Sequence, residues 1–297
     1  MRTLRCLSTL LALLAGAPVG AEAQETAMAP VWKITDADST VYLAGSVHLL
    51  REKDFPLPAV FDRIYAGADE LVFEIDMAGM QDPDNARELV ALGSLPEGET
   101  LADKLSAATM QQLHAYLEKH DMPRGLFDRF TPGMAYLTLG SIEAMRGGAK
   151  PQLGLEMIYY GKSVADGKPS RGLETAAYQI SLFDEFEAVL IEQLLVEALE
   201  KVEDSAEIFD AIVAAWRSGD AEALGELILE QTDSHPRLRE VLLTDRNRNW
   251  IPEIEKHLAT DRDVLFLVGA GHLVGENSVV DLLRKKGYEV TQLGDDE

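Results

Sequence analysis

Apolar and polar positions alternate with a short period near both ends of the chain and repeat with a helical period between them. Val31-Trp32-Lys33-Ile34 alternates, Asp36-Ala37-Asp38-Ser39 is a run of turn formers, and Thr40 to Ala44 returns, which predicts a β-hairpin. Pro56 and Pro58 open a helix through Phe61, Ile64 and Tyr65 that stops near Gly67. Glu70-Leu71-Val72-Phe73-Glu74-Ile75-Asp76 reads as the next strand, and the intervening helix makes it parallel to the strand before. From Asp82 to about Trp250 the spacing predicts helices near residues 85–92, 107–120, 132–145, 155–165, 206–216 and 221–229, with a long acidic helix from 182 through 198. One weak strand near 168–174 interrupts them. Asp245 to Trp250 lies on a helix that continues or restarts at Ile251-Pro252. Residues 263–268 form a buried strand, 278–286 an amphipathic helix and 288–293 a last strand. The expected fold is α/β, a mixed and largely parallel sheet flanked by helices. A large helical insertion, roughly 82–250, is expected to cover the crevice at the strand carboxyl ends.

Two of these strands end in the same device. Val41-Tyr42-Leu43-Ala44 runs into Gly45-Ser46-Val47-His48, and Val264-Leu265-Phe266-Leu267-Val268 runs into Gly269-Ala270-Gly271-His272. Each Gly-x-x-His delivers an imidazole just past a strand's carboxyl end, where open α/β sheets collect their ligands. Glu74 and Glu174 sit at two further strand ends. A carboxylate inside Leu71-Val72-Phe73-Glu74-Ile75 is costly to bury unless paired or metal-bound, although an edge strand facing water would also accept it. Any one of these histidines alone reads as a hydrogen-bonded structural residue. Two histidines with one or two carboxylates on adjacent parallel strands make a ligand set suited to a divalent transition metal with open positions. Arg246 and Arg248 are candidates to clamp a carboxylate or stabilise an oxyanion, against the plainer reading of surface ion pairs. Gly269-Ala270-Gly271 resembles a dinucleotide fingerprint, but its spacing is G-x-G-x-x-x-G and a bulky histidine stands where the pyrophosphate would approach.

Composition narrows the chemistry. Arg2 and Arg5, the apolar run from Cys6 to Ala15, and Ala21-Glu22-Ala23 read as a secretory leader over residues 1–23, too short to span a bilayer. Its removal leaves 274 residues, read as one domain over 24–297, with export to a periplasm or beyond and no stable membrane insertion. The sole cysteine, Cys6, departs with the leader, which excludes thiolate catalysis, disulfides and cysteine-ligated metals. The formal charge of −24 argues against nucleic-acid binding. No H-E-x-x-H, G-x-S-x-G, Walker A or EF-hand pattern occurs.

The ordered set Gly45-Ser46-Val47-His48, Leu71-Val72-Phe73-Glu74, Gly154-Leu155-Glu156, Gly172-Leu173-Glu174-Thr175 with Gln179, Trp216 with Gly219-Asp220, Arg246-Asn247 and Gly269-Ala270-Gly271-His272-Leu273 with Gly275 resembles the TraB/GumN family, related to the animal Tiki proteins. The resemblance runs over essentially the whole chain after the leader. It implies a metal-dependent hydrolase, peptidase-like, with manganese or cobalt held by His48, Glu74 and His272; the ligand set itself leaves iron and zinc open as well. Glu156 or Glu174 is then expected as general base and Arg246 on the developing oxyanion, with a peptide or small molecule as substrate. The wider fold group is similar to erythromycin esterases and ChaN-like haem-binding lipoproteins. That keeps open a haem or small-ligand binding protein, and a non-catalytic interaction protein acting through its acidic helices.

Overall fold

The turn formers at Asp36 to Ser39 close a hairpin, with the Asp36 N–H donating to Ser39 O at 3.0 Å. The computed structural model describes residues 28–36, 38–230 and 234–296, so the leader expected over 1–23 lies outside the described residues. Strands β1 (Met28–Thr35), β2 (Thr40–Ser46), β3 (Glu70–Ile75), β4 (Ser170–Glu174), β5 (Val264–Gly269) and β6 (Thr291–Gly294) form one sheet in the order β4-β3-β5-β2-β1-β6. β4, β3, β5 and β2 are mutually parallel, and β1 is antiparallel to both β2 and β6. The strand after the first helix is therefore parallel to β2, as expected, but does not neighbour it. β5 lies between them, and its Val-Leu-Phe-Leu-Val-Gly run, buried at every position, suits the centre of a sheet covered on both faces.

Between and after the strands run α1 (Val60–Gly67), α2 (Pro83–Leu92), α3 (Ala107–Lys119), α4 (Pro132–Arg146), α5 (Leu155–Asp166), α6 (Ala176–Ser181), α7 (Ala188–Glu200), α8 (Ser205–Ser218), α9 (Ala221–Glu230), α10 (Pro236–Arg239), α11 (Asp245–Leu258) and α12 (Val279–Lys285). The long helix expected from 182 through 198 is broken. A 3₁₀ turn over Leu182–Glu185 ends at Phe186, whose extended backbone lets its ring pack with Leu182, Ile191, Leu194, Leu238 and Val241 before α7 begins. α11 runs unbroken through Pro252, because Trp250, Ile251, Ile254 and Leu258 bury one stripe against the sheet. The last strand is shorter than 288–293. Tyr288 N–H donates to Leu283 O, and the Arg284 side chain donates to Val290 O, tying that stretch to α12 instead.

The sheet core gathers buried residues of β1, β2, β3, β5 and β6 with α1, α5, α8, α9, α11 and α12, and Leu173 of β4 packs against it. A separate apolar cluster, including Leu101, Leu113, Phe127, Leu139 and Leu195, joins α3, α4 and α7. Among the described residues no helix is long and apolar enough to cross a membrane.

Candidate metal centre

Because β2, β5, β3 and β4 run parallel, their carboxyl ends share one edge, with Ser46 beside Gly269 and Ile75 beside Glu174. Gly269 marks the meeting point. A β-carbon placed there would stand 2.9 Å from Glu74 Oε1, 3.5 Å from His48 Nε2 and 3.7 Å from His272 Cδ2. Only glycine leaves that space open, and its own N–H donates to Glu74 Oε1 at 2.6 Å. The three residues expected as ligands therefore converge from three strands.

Each imidazole is gripped by its Nδ1. His48 Nδ1 lies 2.7 Å from Glu156 Oε1, which also accepts from the Ser46 hydroxyl. Glu156 reaches this place because α5 starts immediately beside the first Gly-x-x-His, with Leu155 N–H donating to Val47 O at 3.2 Å. The carboxylate raises the His48 pKa to about 9, although 66 % of that side chain is open to water. Burial works against the Glu156 charge, yet the His48 cation and the hydrogen bonds from His48 and Ser46 hold its carboxyl below the usual range. His272 Nδ1 lies 2.6 Å from Asn247 Oδ1. Burial drops the His272 pKa to about 3, so this ring is neutral at pH 7.

A guanidinium fills the middle. Arg246 donates from Nη2 to Glu74 Oε2 at 2.6 Å and from Nη1 to His272 Nε2 at 3.0 Å. It also meets Glu174 through Nε at 3.1 and 3.0 Å and through Nη2 at 2.9 Å, and donates to Leu242 O at 3.0 Å. Glu174 accepts further bonds from Trp250 Nε1 at 2.8 Å and Gln179 Nε2 at 2.9 Å. Burial opposes the Glu74 charge, but His272, Arg246, His48 and the Gly269 N–H together keep its carboxyl well below the usual range. The Trp250 ring lies 4.4 Å from the His272 ring and 5.0 Å beneath the Arg246 guanidinium. Arg248 points elsewhere, pairing with Glu240 and Asp245 at the surface.

The structure thus brings together His48, Glu74, Glu156, Glu174, Arg246 and His272. Ser46, Gln179, Asn247 and Trp250 join them without having been assigned roles from the sequence. The signal for Trp250 was available in part, since Arg246 and Trp250 are four residues apart on a helix and share a face.

The fit to a divalent ion rests on the donor chemistry. Two imidazoles anchored through Nδ1 and a deprotonated carboxylate are the arrangement that second-shell hydrogen bonds create around metals, with His48, a cation at pH 7 beside Glu156, having to release its Nε2 proton to join them. Among the described residues, no three His, Cys, Asp or Glu side chains stand closely enough to hold an ion as placed. Arg246 donates to Glu74 Oε2 and His272 Nε2, two of the atoms that an ion would need.

Comparison with known proteins gives the chain a family. The uncharacterized protein YbaP of Escherichia coli is 24 % identical over 82 % of this chain and 87 % of its own. The metalloprotease TIKI2 of Danio rerio is 26 % identical over 84 % of this chain, which spans 57 % of the TIKI2 length. A metalloprotease TIKI homolog of Amphimedon queenslandica is 37 % identical over 26 % of this chain and 13 % of its own. No solved structure matches. The TraB/PrgY/gumN family profile matches residues 30–292, nearly everything after the expected leader, and the chain belongs to that family.

Proposed function

We propose that this protein is an exported, divalent-metal-dependent hydrolase that cleaves peptide bonds, with His48, Glu74 and His272 as the metal ligands. The observation that carries the reading is the convergence of those three side chains at Gly269, each histidine anchored through Nδ1. The TIKI relatives named metalloproteases support the peptidase side of it, and the leader read in residues 1–23 supports export.

Bound between these residues, a divalent ion supplies Lewis acidity and a water made more acidic. The protein's own groups divide the remaining work. Glu156 fixes the His48 ring. Glu174 accepts from Arg246, Trp250 and Gln179 and has no direction left for a proton. Glu156 Oε1 serves Ser46 and His48, so Oε2 is the atom assigned to take the proton of the attacking water. Arg246 holds Glu74 and Glu174 in register, and reaches a developing oxyanion only by giving up a present partner. The exposed His48 face is the side from which substrate enters.

The test is to purify the chain without residues 1–23 and measure bound metal together with cleavage of a mixed peptide library supplied with Mn²⁺, Co²⁺, Fe²⁺ or Zn²⁺. Stoichiometric metal and cleavage, both lost in folded His48→Ala and His272→Ala, are the expected results. A folded protein that takes up none of these ions and cleaves no peptide refutes the reading.

A further inference from the structure

The proton positions around His272 follow from which partners are able only to give or only to take. Arg246 has N–H donors and no acceptor, so His272 Nε2, 3.0 Å from Nη1, is the bare nitrogen. The single proton of the neutral ring then sits on Nδ1, 2.6 Å from Asn247. The Asn247 amide is oriented independently of the ring. One of its termini lies 3.0 Å from the backbone carbonyl of Asn277, which only accepts, so that terminus is the NH₂ and the one facing His272 is the carbonyl oxygen.

The Asn277 carbonyl is itself held in place. Asn277 adopts φ 59°, the left-handed region that asparagine tolerates, and its N–H donates to Asp281 Oδ2 at 2.8 Å in the first turn of α12. Asn247 is 2 % exposed, and Trp250 packs against the imidazole from the same helix. A one-way chain of hydrogen bonds therefore runs from Arg246 through His272 and Asn247 to the α12 cap.

We propose that Asn247 is a positioning residue that locks His272 in the Nδ1–H tautomer, so that the Nε2 lone pair faces the site centre. Histidine in water prefers the other tautomer, so the arrangement is imposed by Asn247 and Arg246 together. The lock itself is independent of metal. Its consequence, that Nε2 is delivered as a donor to an ion, rests on the hydrolase reading above.

The experiment records long-range ¹⁵N–¹H correlations of the histidine rings in chelator-treated, ¹⁵N-labelled protein, with His272→Gln used to assign the signal. Wild type is expected to show Nδ1–H at His272. Asn247→Asp keeps an acceptor and is expected to keep that tautomer, whereas Asn247→Leu is expected to give a mixture or the Nε2–H form. Asn247→Ala supplies the same reading if the leucine variant does not fold. An Nε2–H wild type, or a tautomer unchanged in the leucine and alanine variants, overturns the proposal. In Mn²⁺ titration calorimetry, loss of the acceptor is expected to lower affinity about 10–100-fold while the aspartate variant stays near wild type. A wild type that binds no ion refutes the hydrolase reading alone, because the tautomer is read without metal.

Discussion

Arg246 spends every N–H it has on fixed partners: two carboxylates, one imidazole and one backbone carbonyl. Its side chain is 8 % exposed, and those of Glu74 and Glu174 are 9 % and 7 %. Taken singly these are buried charges whose desolvation is unfavourable, and they are tolerable because each completes the others' bonds. Glu174→Gln places an NH₂ against donors and removes half of the counter-charge. The expected loss of stability is about 3–5 kcal/mol, the range seen when one member of a buried pair is deleted. Urea denaturation at pH 7 on metal-free protein measures it, and a loss below about 1 kcal/mol would show that Glu174 is no keystone. Trp250 and Gln179 bear on the same point, since both donate to Glu174, while Gln179 also reaches Glu74 Oε2 at 3.3 Å.

At the scale of elements, α11 and the start of α5 govern the site. α11 follows a π-helical turn, Glu240–Thr244, and Arg246 donates back to Leu242 O within it, so the wide turn gives the guanidinium an acceptor near its root. The far end of α11 carries His257 against Phe266, with its Nε2 accepting from Arg171. Burial and then the Arg171 charge lower the His257 pKa. The unfolded chain takes that proton near pH 6.5 and the folded one resists until lower pH, so this contribution is present above 6.5 and is lost as pH falls. His257→Gln is expected to flatten the fall of stability between about pH 7 and 5, as read from denaturation midpoints; an unchanged slope refutes it. At α5, a β-carbon on Gly154 would meet the His48 carbonyl oxygen at 2.1 Å. Gly154→Ala must push Leu155 and Glu156 away, with an expected cost of about 1–3 kcal/mol in urea melts and loss of the Glu156 hold on His48. A variant as stable as wild type, with His48 still tied to Glu156, would contradict this. The strand ends were legible because a buried apolar run halted by glycine is a local signal, and Glu74 stood out as a charge inside such a run. The roles of Asn247 and Gln179 were not legible, and that of Trp250 only through its shared helix face with Arg246. They depend on which residue of another element faces them, and periodicity carries no such information. The break at Phe186 was hidden for the same reason, since a distant apolar cluster overrides a helical pattern.

Across the whole molecule, the sheet core and the α3–α4–α7 cluster are distinct apolar bodies, and Leu182, Phe186, Ile191, Leu194, Leu238 and Val241 form a third. The sequence showed long helical stretches there but not how they divide, because helical spacing tells which face is buried and not against what. The three side chains proposed as ligands, His48, Glu74 and His272, come from β2, β3 and β5 and their following turns, all rooted in the sheet core. The Leu242 carbonyl links Arg246 directly to that third cluster, against which Leu242 is partly buried. Cooperative units of unequal stability usually follow such boundaries. Leu113 is fully buried in the helical cluster and far in sequence from every site residue, so Leu113→Ala weakens that body by about 2–5 kcal/mol without touching the ligands. Native-state hydrogen exchange should then show α3, α4 and α7 losing protection while amides of β2, β3 and β5 keep theirs, and Mn²⁺ affinity should remain within about twofold of wild type. If protection falls equally in the strands, the chain unfolds as one unit and the separation of clusters has no energetic meaning.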